Sequence, residues 1–420
     1  MNIYFSGIGG VGIGPLAEIA HDAGYSVAGS DPNESLIIDK LISKNIPLTK
    51  LQDGKFMLEY HNQQKIDWFV HTAALTDNHP ELLLAKKLGI KISKRDELLA
   101  YIIKQKNLKL IAVSGTHGKT TTTGMLIWVF KQLGIDVSYS IGTTMSFGPS
   151  GKYSPKSEYF VYECDEFDKN FLHFRPYLSL ITSIDYDHPD TYPTEKDYLD
   201  AFYEFALNSS KVFNWNDQHP EIFNDLTNVD IVDVDSISKL NIHGNHNVRN
   251  ANLVKIALKY LGVNNFKDEM LENFPGVDRR FEKIANNLYS DYAHHPTEIA
   301  ATMQLAREIS NHVILVYQPH QNTRQYDIKD KYLDQFELAE KVYWLPTYLS
   351  RENPQLRILK PEELIENITN KKSIRIVKFD DDLWNTIKKH LKEGKLVLIM
   401  GAGEIDNWIR KKLAKDPIDL

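Results

Sequence analysis

One stretch decides the fold of this chain: Ile111-Ala112-Val113-Ser114-Gly115-Thr116-His117-Gly118-Lys119-Thr120-Thr121-Thr122-Thr123. The apolar residues 110–113 predict a buried strand, and residues 125–133 predict the helix that follows. The glycines between them let backbone N–H groups surround an anion, and the N-terminus of the helix presents its positive end to the same place. The stretch therefore predicts a strand, a phosphate-binding turn and a helix in an α/β protein.

Two kinds of side chain in this turn suit a nucleoside triphosphate. Lys119 can neutralise phosphate charge, and the hydroxyl of Thr120 or Thr121 can bind a magnesium ion. The general phosphate-binding loop, GxxxxGK[ST], needs a glycine at position 113, where this chain has valine. The pattern Gly115-x-x-Gly118-Lys119-Thr120 is two residues shorter, and it is a narrower and more informative form.

Composition and charge exclude several classes of protein. The 420 residues are 42% hydrophobic and 25% charged, which predicts a globular protein of about three domains. The net charge of −7 argues against sequence-independent binding of nucleic acid. The single cysteine, Cys164, excludes an internal disulfide and a cysteine-rich zinc site. We find no leader-like segment and no apolar run of about 18 residues, so we expect a cytoplasmic protein without a membrane partner.

A second glycine-rich turn lies near the N-terminus. Residues 2–6 predict a strand, residues 15–23 a helix, and Gly7-x-Gly9-x-x-Gly12 lies between them, with Asp31 about 20 residues further on. This pattern is typical of dinucleotide-binding domains, but physically it predicts only a diphosphate at a helix N-terminus and a sugar or base near Asp31. NAD, FAD and UDP-sugars all carry such a diphosphate, and a tight turn without a ligand is also open.

Strands and helices alternate along most of the chain. Residues 67–72 predict a strand and residues 80–88 and 96–103 predict helices, before a short polar link at residues 104–107. We expect three α/β domains at residues 1–106, 107–273 and 274–420. The first and last are predicted to be Rossmann-like, and the central one to be a P-loop ATPase-like domain with a parallel or mixed sheet.

Acidic residues follow two predicted strands of the central domain. Residues 159–163 end in an acidic cluster, and residues 178–184 lead into Asp185-Tyr-Asp-His-Pro-Asp190. Acids at strand ends near a phosphate-binding loop are the usual magnesium ligands. We therefore interpret Glu163 and His188 as candidate metal ligands. Three other acids are interpreted as solvated loop residues: Glu166, Asp185 and Asp190.

Further polar residues follow later in the chain. Asn247 and Asn250 could contact the edge of a nucleobase, or they could simply begin the helix predicted at residues 250–261. In the last domain, strands are predicted at residues 288–292, 312–318 and 396–400. Six side chains lie at strand ends or in the following loops, where open α/β sheets bind ligands: Arg280, Asp291, His294, His295, His320 and Arg324.

Taken together, these motifs resemble those of the Mur ligase family, the ATP-dependent ligases of peptidoglycan precursor synthesis, and their order and spacing are similar too. The resemblance covers nearly the whole chain. It is carried by Gly7-Ile-Gly-Gly-Val-Gly12, Gly115-Thr-His-Gly-Lys-Thr120, Glu163-Cys-Asp-Glu166, Asp187-His188, Gly244-Asn-His-Asn247 with Asn250, Arg279-Arg-Phe281 and Asp291-Tyr-Ala-His-His-Pro296. Details such as Phe171-Leu-His-Phe-Arg-Pro176 and Gln318-Pro-His320 are most similar to the branch that adds L-alanine to UDP-N-acetylmuramate.

The resemblance implies ATP and Mg²⁺ as cofactors, UDP-N-acetylmuramate and L-alanine as substrates, and a monomer or homodimer. The residues that would bind ATP are Gly115, Thr116, His117, Gly118, Lys119, Thr120, Thr121, Asn247, Asn250, Arg280 and Asp291. Those that would bind the UDP-sugar are Gly9, Gly10, Val11, Gly12, Asp31, His71 and Thr72. The metal ligands would be Thr120, Glu163 and His188, and the acceptor residues would be His294, His320 and Arg324. Catalysis would depend on Lys119, Glu163, His188, His294 and Arg324.

Two positions depart from family patterns. Many Mur ligases carry a carbamylated lysine on the helix after the Asp-His motif, where this chain has Phe202, but the alanine-adding branch also lacks that lysine. That branch usually has arginine directly after its Gln-Pro-His motif, where this chain has Gln321. A different amino acid or a recycled murein tripeptide therefore stays open as acceptor. Two further functions stay open, a nicotinamide dehydrogenase and a non-catalytic, nucleotide-switched binding protein.

Overall fold

The computed structural model describes residues 1–72, 75–350 and 352–418, which form three β-sheets. The chain divides into two compact units, Met1–Ile237 with Ala251–Phe274 and Ser238–Asn250 with Pro275–Leu420. The first unit contains two of the sheets and the second unit contains the third. Most strand pairs are parallel and helices connect them, which confirms the predicted α/β class.

The first sheet has five parallel strands in the order β3-β2-β1-β4-β5. Because β1 pairs with both β2 and β4, the strand order reverses at β1, and the turn after β1 lies where open α/β sheets bind ligands. The strands are β1 (Asn2–Ser6), β2 (Ser26–Ser30), β3 (Leu48–Thr49), β4 (Trp68–His71) and β5 (Lys91–Ser93). The helices are α1 (Gly14–Asp22), α2 (Leu36–Ser43), α3 (Lys55–Gln63), α4 (Pro80–Lys87) and α5 (Arg95–Gln105).

The central sheet has seven strands in the order β12-β11-β10-β6-β9-β7-β8, and only the β7–β8 pair is antiparallel. Since β6 lies between β9 and β10, the turn after β6 is adjacent to the ends of both acid-bearing strands. The strands are β6 (Lys109–Ser114), β7 (Ser138–Ser140), β8 (Gly151–Lys152), β9 (Tyr159–Glu163), β10 (Leu178–Ile181), β11 (Val212–Trp215) and β12 (Val229–Val232). The helices are α6 (Lys119–Gln132), α7 (Glu195–Leu207), α8 (Asn245–Tyr260) and α9 (Asp268–Glu272).

The third sheet has six strands in the order β13-β14-β18-β15-β16-β17, and only the β13–β14 pair is antiparallel. Its strands are β13 (Glu282–Ala285), β14 (Leu288–Asp291), β15 (Val313–Tyr317), β16 (Lys341–Trp344), β17 (Ile374–Ile376) and β18 (Leu396–Met400). Its helices are α10 (Pro296–Ile309), α11 (Asn322–Ile328), α12 (Pro361–Leu364), α13 (Asp381–Lys392) and α14 (Ile405–Lys415). Among the described residues, no helix combines the length and apolar content needed to cross a bilayer.

One apolar cluster runs through both sheets of the first unit. It joins Leu99 and Ile102 of α5 to Phe171, which follows β9, and to Phe205 of α7, both beside the central sheet. Gly151 of β8 packs directly on α1, where an added Cβ would lie 2.8 Å from the carbonyl oxygen of Pro15. The glycine turn after β1 and the strands of the central sheet are therefore held by a shared core.

Two helices begin five or six residues earlier than predicted. Helix α6 starts at Lys119 rather than at residue 125, because its first turn is a run of threonines that carries no apolar signal. Helix α8 starts at Asn245 rather than at residue 250. Hydrophobic periodicity marks the buried part of a helix and misses a polar first turn.

Candidate functional site

The predicted phosphate-binding turn follows β6 and is fixed by the chain after β10. The backbone N–H groups of Thr116 and His117 donate to the carbonyl and hydroxyl oxygens of Ser183, at 3.0 and 2.8 Å. Gly115 has φ +128°, and a Cβ there would contact the Thr182 hydroxyl and lie 2.7 Å from the Ser183 carbonyl oxygen. The turn therefore needs glycine at position 115 for both its backbone angle and its close approach.

We expect Gly115→Ala to lower the free energy of unfolding by about 2–4 kcal/mol, the sum of left-handed strain and overpacking against the backbone. The matched control is Gly134→Ala. Gly134 has a positive φ of 66°, but nothing lies within 4 Å of an added Cβ. Denaturant unfolding of both variants measures the difference, and equal losses would contradict a packing requirement at Gly115.

Lys119 lies at the start of α6, with its amine folded over the turn. Its Nζ donates to the carbonyl oxygen of Gly115 at 2.5 Å and to Glu166 Oε2 at 2.8 Å. Burial lowers the pKa of Lys119, but the carboxylates of Glu166 and Asp165 raise it more, so the pKa lies above its ordinary value. A permanently charged amine is thus held at the N-terminus of a helix, as phosphate binding requires.

The interpretation of Glu166 as a solvated loop acid is wrong. Its carboxylate is fully buried and faces Lys119 and the His188 ring, whose Nε2 lies 3.6 Å from Glu166 Oε1. The Tyr192 hydroxyl donates to the Glu166 carbonyl oxygen at 2.5 Å. Burial raises the pKa of Glu166, but Lys119 and His188 outweigh it and bring that pKa down to about 2. Glu166 turns inward because a buried ammonium needs a counter-ion there.

The structure brings Thr120 and Glu163 together. The Thr120 hydroxyl donates to Glu163 Oε1 at 2.7 Å, and the backbone N–H of Gly142 donates to Glu163 Oε2 at 2.7 Å. Hydroxyl and carboxylate oxygens are the ligands that Mg²⁺ prefers, usually together with phosphate oxygens and water. The donor set of Thr120 and Glu163 therefore fits the predicted magnesium ion.

The imidazole of His188 contacts carboxylates instead of the Thr120–Glu163 pair. Its Nε2 lies 3.6 Å from Glu166 and 3.7 Å from Asp187, and its backbone φ is +59°. Burial lowers the pKa of His188, but Asp187 and Glu166 raise it above its ordinary value. The ring thus faces two carboxylates of the same unit, and the role of His188 as a metal ligand stays a prediction.

The other two acids predicted to be solvated differ from each other. Asp190 is exposed, as expected. Asp185 is only partly exposed, because its Oδ2 lies 3.0 Å from His117 Nε2 and its backbone binds the Thr116 hydroxyl at 2.8 Å. Asp185 therefore helps to fix the turn after β6 while 34% of its side chain stays exposed, so its interpretation as a solvated acid holds only in part.

Two residues of α7 that the sequence did not predict as part of the site complete its inner wall. The Tyr198 hydroxyl lies 2.8 Å from the Thr116 hydroxyl and 3.5 Å from Glu166. Phe202 is fully buried and its ring packs edge-on against Tyr198 and Phe171. The position where many Mur ligases carry a modified lysine is thus part of an apolar cluster. No sequence signal marked Tyr198, whose neighbours predict only an amphipathic helix.

The N-terminal glycine turn follows β1, which pairs with β2 on one side and with β4 on the other. The backbone N–H of Gly9 donates to Asp31 Oδ2 at 2.9 Å, and that of Asn33 donates to Asp31 Oδ1 at 2.9 Å. Asp31 therefore holds the turn, and its predicted contact with a ligand stays a prediction. The Thr72 methyl lies where a Cβ on Gly7 would clash, so β4 borders the turn. Beside them, Gly10 is exposed, Val11 is 81% exposed, and the His71 ring contacts the Thr72 carbonyl at 3.0 Å.

In the second unit, Asp291 fixes the chain around the end of β14. Its carboxylate accepts from the backbone N–H groups of Phe281 and Ala293, both at 2.7 Å. Burial raises the pKa of Asp291 to about 6, although the charge of Arg280 opposes this shift. Arg280 Nη1 lies 3.9 Å from Glu298 Oε1. The structure thus brings Arg280 and Asp291 together, and their predicted contact with ATP stays a prediction.

His294 and His320 lie side by side at the carboxyl edge of the third sheet. Their ring centroids are 5.5 Å apart, and His320 stacks on Tyr348 at 5.6 Å. His294 Nδ1 lies 3.3 Å from Glu298 Oε2, while His295 is buried at the N-terminus of α10. Arg324 is buried in the first turn of α11. Tyr348 was not predicted, because it follows β16 as one aromatic residue in an irregular loop.

Asn247 and Asn250 lie in the first two turns of α8. Asn250 is buried, and the Asn247 amide donates to the His243 carbonyl oxygen at 3.1 Å. Next to them, burial lowers the pKa of His246 to about 4, although Glu308 opposes the shift. Contact of the two amides with adenine stays a prediction.

His246 makes stability depend on pH. Its folded pKa lies below its unfolded value of about 6.5, so the stability that neutral His246 contributes is present above that value and is lost as pH falls toward 4. Between pH 7 and pH 5, we expect this residue to lower the free energy of unfolding by at most about 2 kcal/mol. Urea unfolding of His246→Gln should lack this decrease, whereas the exposed neighbour's variant His243→Gln should keep it.

Comparison with known proteins connects these features. Models of one family match in order: "Mur ligase family, catalytic domain" at residues 2–107, "Mur ligase middle domain" at 113–255 and "Mur ligase, glutamate ligase domain" at 279–403. The UDP-N-acetylmuramate–L-alanine ligase of Clostridium tetani is 34% identical, and 96% of each chain is covered. The protein of that name from Carboxydothermus hydrogenoformans is 32% identical over 98% of this chain and 96% of its own.

A solved structure of the same family has a similar fold. The UDP-N-acetylmuramate-alanine ligase of Thermotoga maritima has a TM-score of 0.75 to this chain at 25% identity, and 99% of each chain is covered. The matches leave no large part of the chain unaccounted for, so the likeness extends through all three sheets rather than through one common domain.

Proposed function

This chain belongs to the Mur ligase family, and we propose that it joins L-alanine to UDP-N-acetylmuramate in an ATP-dependent reaction. The proposal is supported by relatives of that name that align over nearly the whole chain. The observation that carries it is the arrangement around Lys119. Its ammonium is held by buried Glu166 at a helix N-terminus, one residue before the Thr120–Glu163 oxygen pair.

The reaction has two steps. A carboxylate oxygen of the muramyl group attacks the γ-phosphorus of ATP. The bond between the γ-phosphorus and the oxygen that bridges it to the β-phosphorus breaks, so ADP departs and the muramyl group becomes an acyl phosphate. The amine of L-alanine then attacks the carbonyl carbon, and phosphate leaves with one oxygen of the original carboxylate. The ammonium of the acceptor must lose a proton before it attacks. We assign this proton to His294 rather than to His295, because His295 is buried at the start of α10.

Charge neutralisation is the main task of the protein in the first step. Two like charges at ~4 Å repel by about 4 kcal/mol at an effective dielectric constant of ~20. Lys119 offsets part of the repulsion between the triphosphate and the attacking carboxylate. Thr120 and Glu163 would hold Mg²⁺, which neutralises phosphate charge when bound.

The acceptor is proposed to bind at the carboxyl edge of the third sheet, near His320 and Arg324. Because Gln321 carries no charge where the alanine-adding branch usually has arginine, Arg324 would bind the carboxylate of the amino acid. The His320 ring, stacked on Tyr348, would border the side chain of the bound amino acid.

A phosphate-release assay with UDP-N-acetylmuramate, ATP and Mg²⁺ tests this function. We compare L-alanine, L-serine, glycine and a murein tripeptide as acceptors and expect the highest kcat/KM with L-alanine. A preference for the tripeptide would show that L-alanine is not the acceptor, while the proposed ligase reaction through an acyl phosphate would stand. Phosphate release that needs neither a UDP-sugar acid nor an amine would contradict the proposal.

A further inference from the structure

Arg95 reaches from the first turn of α5 to the N-terminal glycine turn. A Cβ added to Gly12 would lie 2.8 Å from Arg95 Nη1, so the guanidinium packs directly on the third glycine of the turn. Residue 95 belongs to none of the motifs in the sequence and precedes the helix predicted at 96–103. A cation at this place is notable because the turn is where a diphosphate is expected to bind.

One edge of the guanidinium is fixed by a buried carboxylate. Arg95 Nε donates to Asp96 Oδ2 at 3.1 Å, and Asp96 is almost fully buried. The other oxygen of that carboxylate, Asp96 Oδ1, accepts from the Tyr162 hydroxyl at 2.5 Å. Tyr162 lies on β9, one residue before Glu163. The orientation of the guanidinium is thus set by a hydrogen-bonded pair that spans the first and central sheets.

The remaining edge of the guanidinium is available to a ligand. Within residues 1–72, 75–350 and 352–418, neither Nη1 nor Nη2 of Arg95 donates a hydrogen bond to a protein atom, and the side chain is 35% exposed. If Arg95 served only to join the first and central sheets, its Nε–Asp96 hydrogen bond would be sufficient for that role. The orientation leaves Nη1 beside the glycine turn, and Nη2 lies next to it in the same plane, the geometry in which a guanidinium binds two oxygens of a phosphate group.

We propose that Arg95 binds the diphosphate of the UDP-sugar acid through Nη1 and Nη2, and that Asp96 and Tyr162 are positioning residues for it. The identity of the ligand rests on the proposed function. The arrangement also gives a second reason for glycine at position 12, since a side chain there would displace the guanidinium. It further links the diphosphate site to β9, the strand that ends at the proposed magnesium ligand Glu163.

Calorimetric titration of the full chain with UDP, with UDP-N-acetylmuramate and with ATP tests the assignment. We expect Arg95→Ala to raise the Kd of both uridine nucleotides by about 10- to 100-fold, because one charge-assisted bidentate contact is lost, and to leave the Kd of ATP unchanged. Arg95→Lys should recover only part of the affinity, since an ammonium lacks the planar pair of donors. Tyr162→Phe should weaken UDP binding by a smaller factor.

The matched control is Lys104→Ala, which removes one charge from the exposed end of the same helix, roughly 14 Å away, and should change none of the three Kd values. The UDP Kd of Arg95→Ala should also depend less steeply on salt than that of the wild type, a change that a merely structural role would not produce. Unchanged UDP binding, or a loss confined to UDP-N-acetylmuramate, would overturn the assignment to the diphosphate. If the wild type itself fails to bind UDP, the proposed function fails and this assignment with it.

Discussion

Replacing Lys119 with alanine is expected to lower the rate of ATP-dependent ligation by at least about 100-fold, as the loss of one preorganised transition-state donor does in other enzymes. The reason is electrostatic. Lys119 is the cation held at the N-terminus of α6 by the turn after β6 and by Glu166. Without it, less positive charge offsets the repulsion between the triphosphate and the attacking carboxylate. Steady-state phosphate release at saturating substrates measures the effect.

The control is Lys131→Ala, in the last turn of the same helix. The Lys131 amine binds the Phe147 carbonyl oxygen at 2.6 Å and is exposed, so its removal should leave kcat within about twofold of the wild type. A Lys119→Ala enzyme with near-normal activity would remove Lys119 from the mechanism.

The second large effect concerns stability. Glu166→Gln should lower the free energy of unfolding by about 3–5 kcal/mol, because it removes the carboxylate nearest to the buried ammonium of Lys119 and leaves it with Asp165, 3.8 Å away. The pKa of Glu166, about 2 in the folded protein, lies below its unfolded value of about 4.3. The stability that the carboxylate contributes is therefore present above pH ~4.3 and is lost as pH falls toward 2.

A double-mutant cycle separates the interaction energy between Lys119 and Glu166 from the effects of their other neighbours. The variant Lys119→Met with Glu166→Gln should be more stable than Glu166→Gln alone, since no buried charge remains unpaired. Asp190→Asn, a change at an exposed acid of the loop after β10, should cost less than about 0.5 kcal/mol. Equal stability of Glu166→Gln and the wild type in denaturant unfolding would show that the ion pair contributes nothing net.

The sequence predicted the parts of the fold that have a regular signal. The alternation of strands and helices predicted the α/β class, and the spacing from Gly115 to Thr120 predicted the turn after β6. Glycine patterns are informative because backbone angles and close approaches restrict those positions to glycine, as the geometry at Gly115 illustrates.

The sequence did not predict which polar side chains turn inward. Glu166 and Asp190 are both acids in loops after strands, and only the position of Lys119 decides that the first is buried. Asp185 follows β10 and is held in place by His117, which follows a different strand, β6. No local pattern marks Arg95, because the Tyr162 hydroxyl that binds its neighbour Asp96 lies 67 residues further along the chain than Arg95. Such pairs depend on tertiary contacts, which no local pattern records.

The central claim is that this chain activates a UDP-sugar acid by phosphorylating its carboxylate at the turn that ends in Lys119. It is tested most directly with UDP-N-acetylmuramate labelled with ¹⁸O in that carboxylate, incubated with the enzyme, ATP, Mg²⁺ and L-alanine. Mass analysis of the released phosphate should find one ¹⁸O atom per molecule, because the carboxylate oxygen that attacks the γ-phosphorus leaves with phosphate. Unlabelled phosphate formed alongside the ligated product would contradict the account.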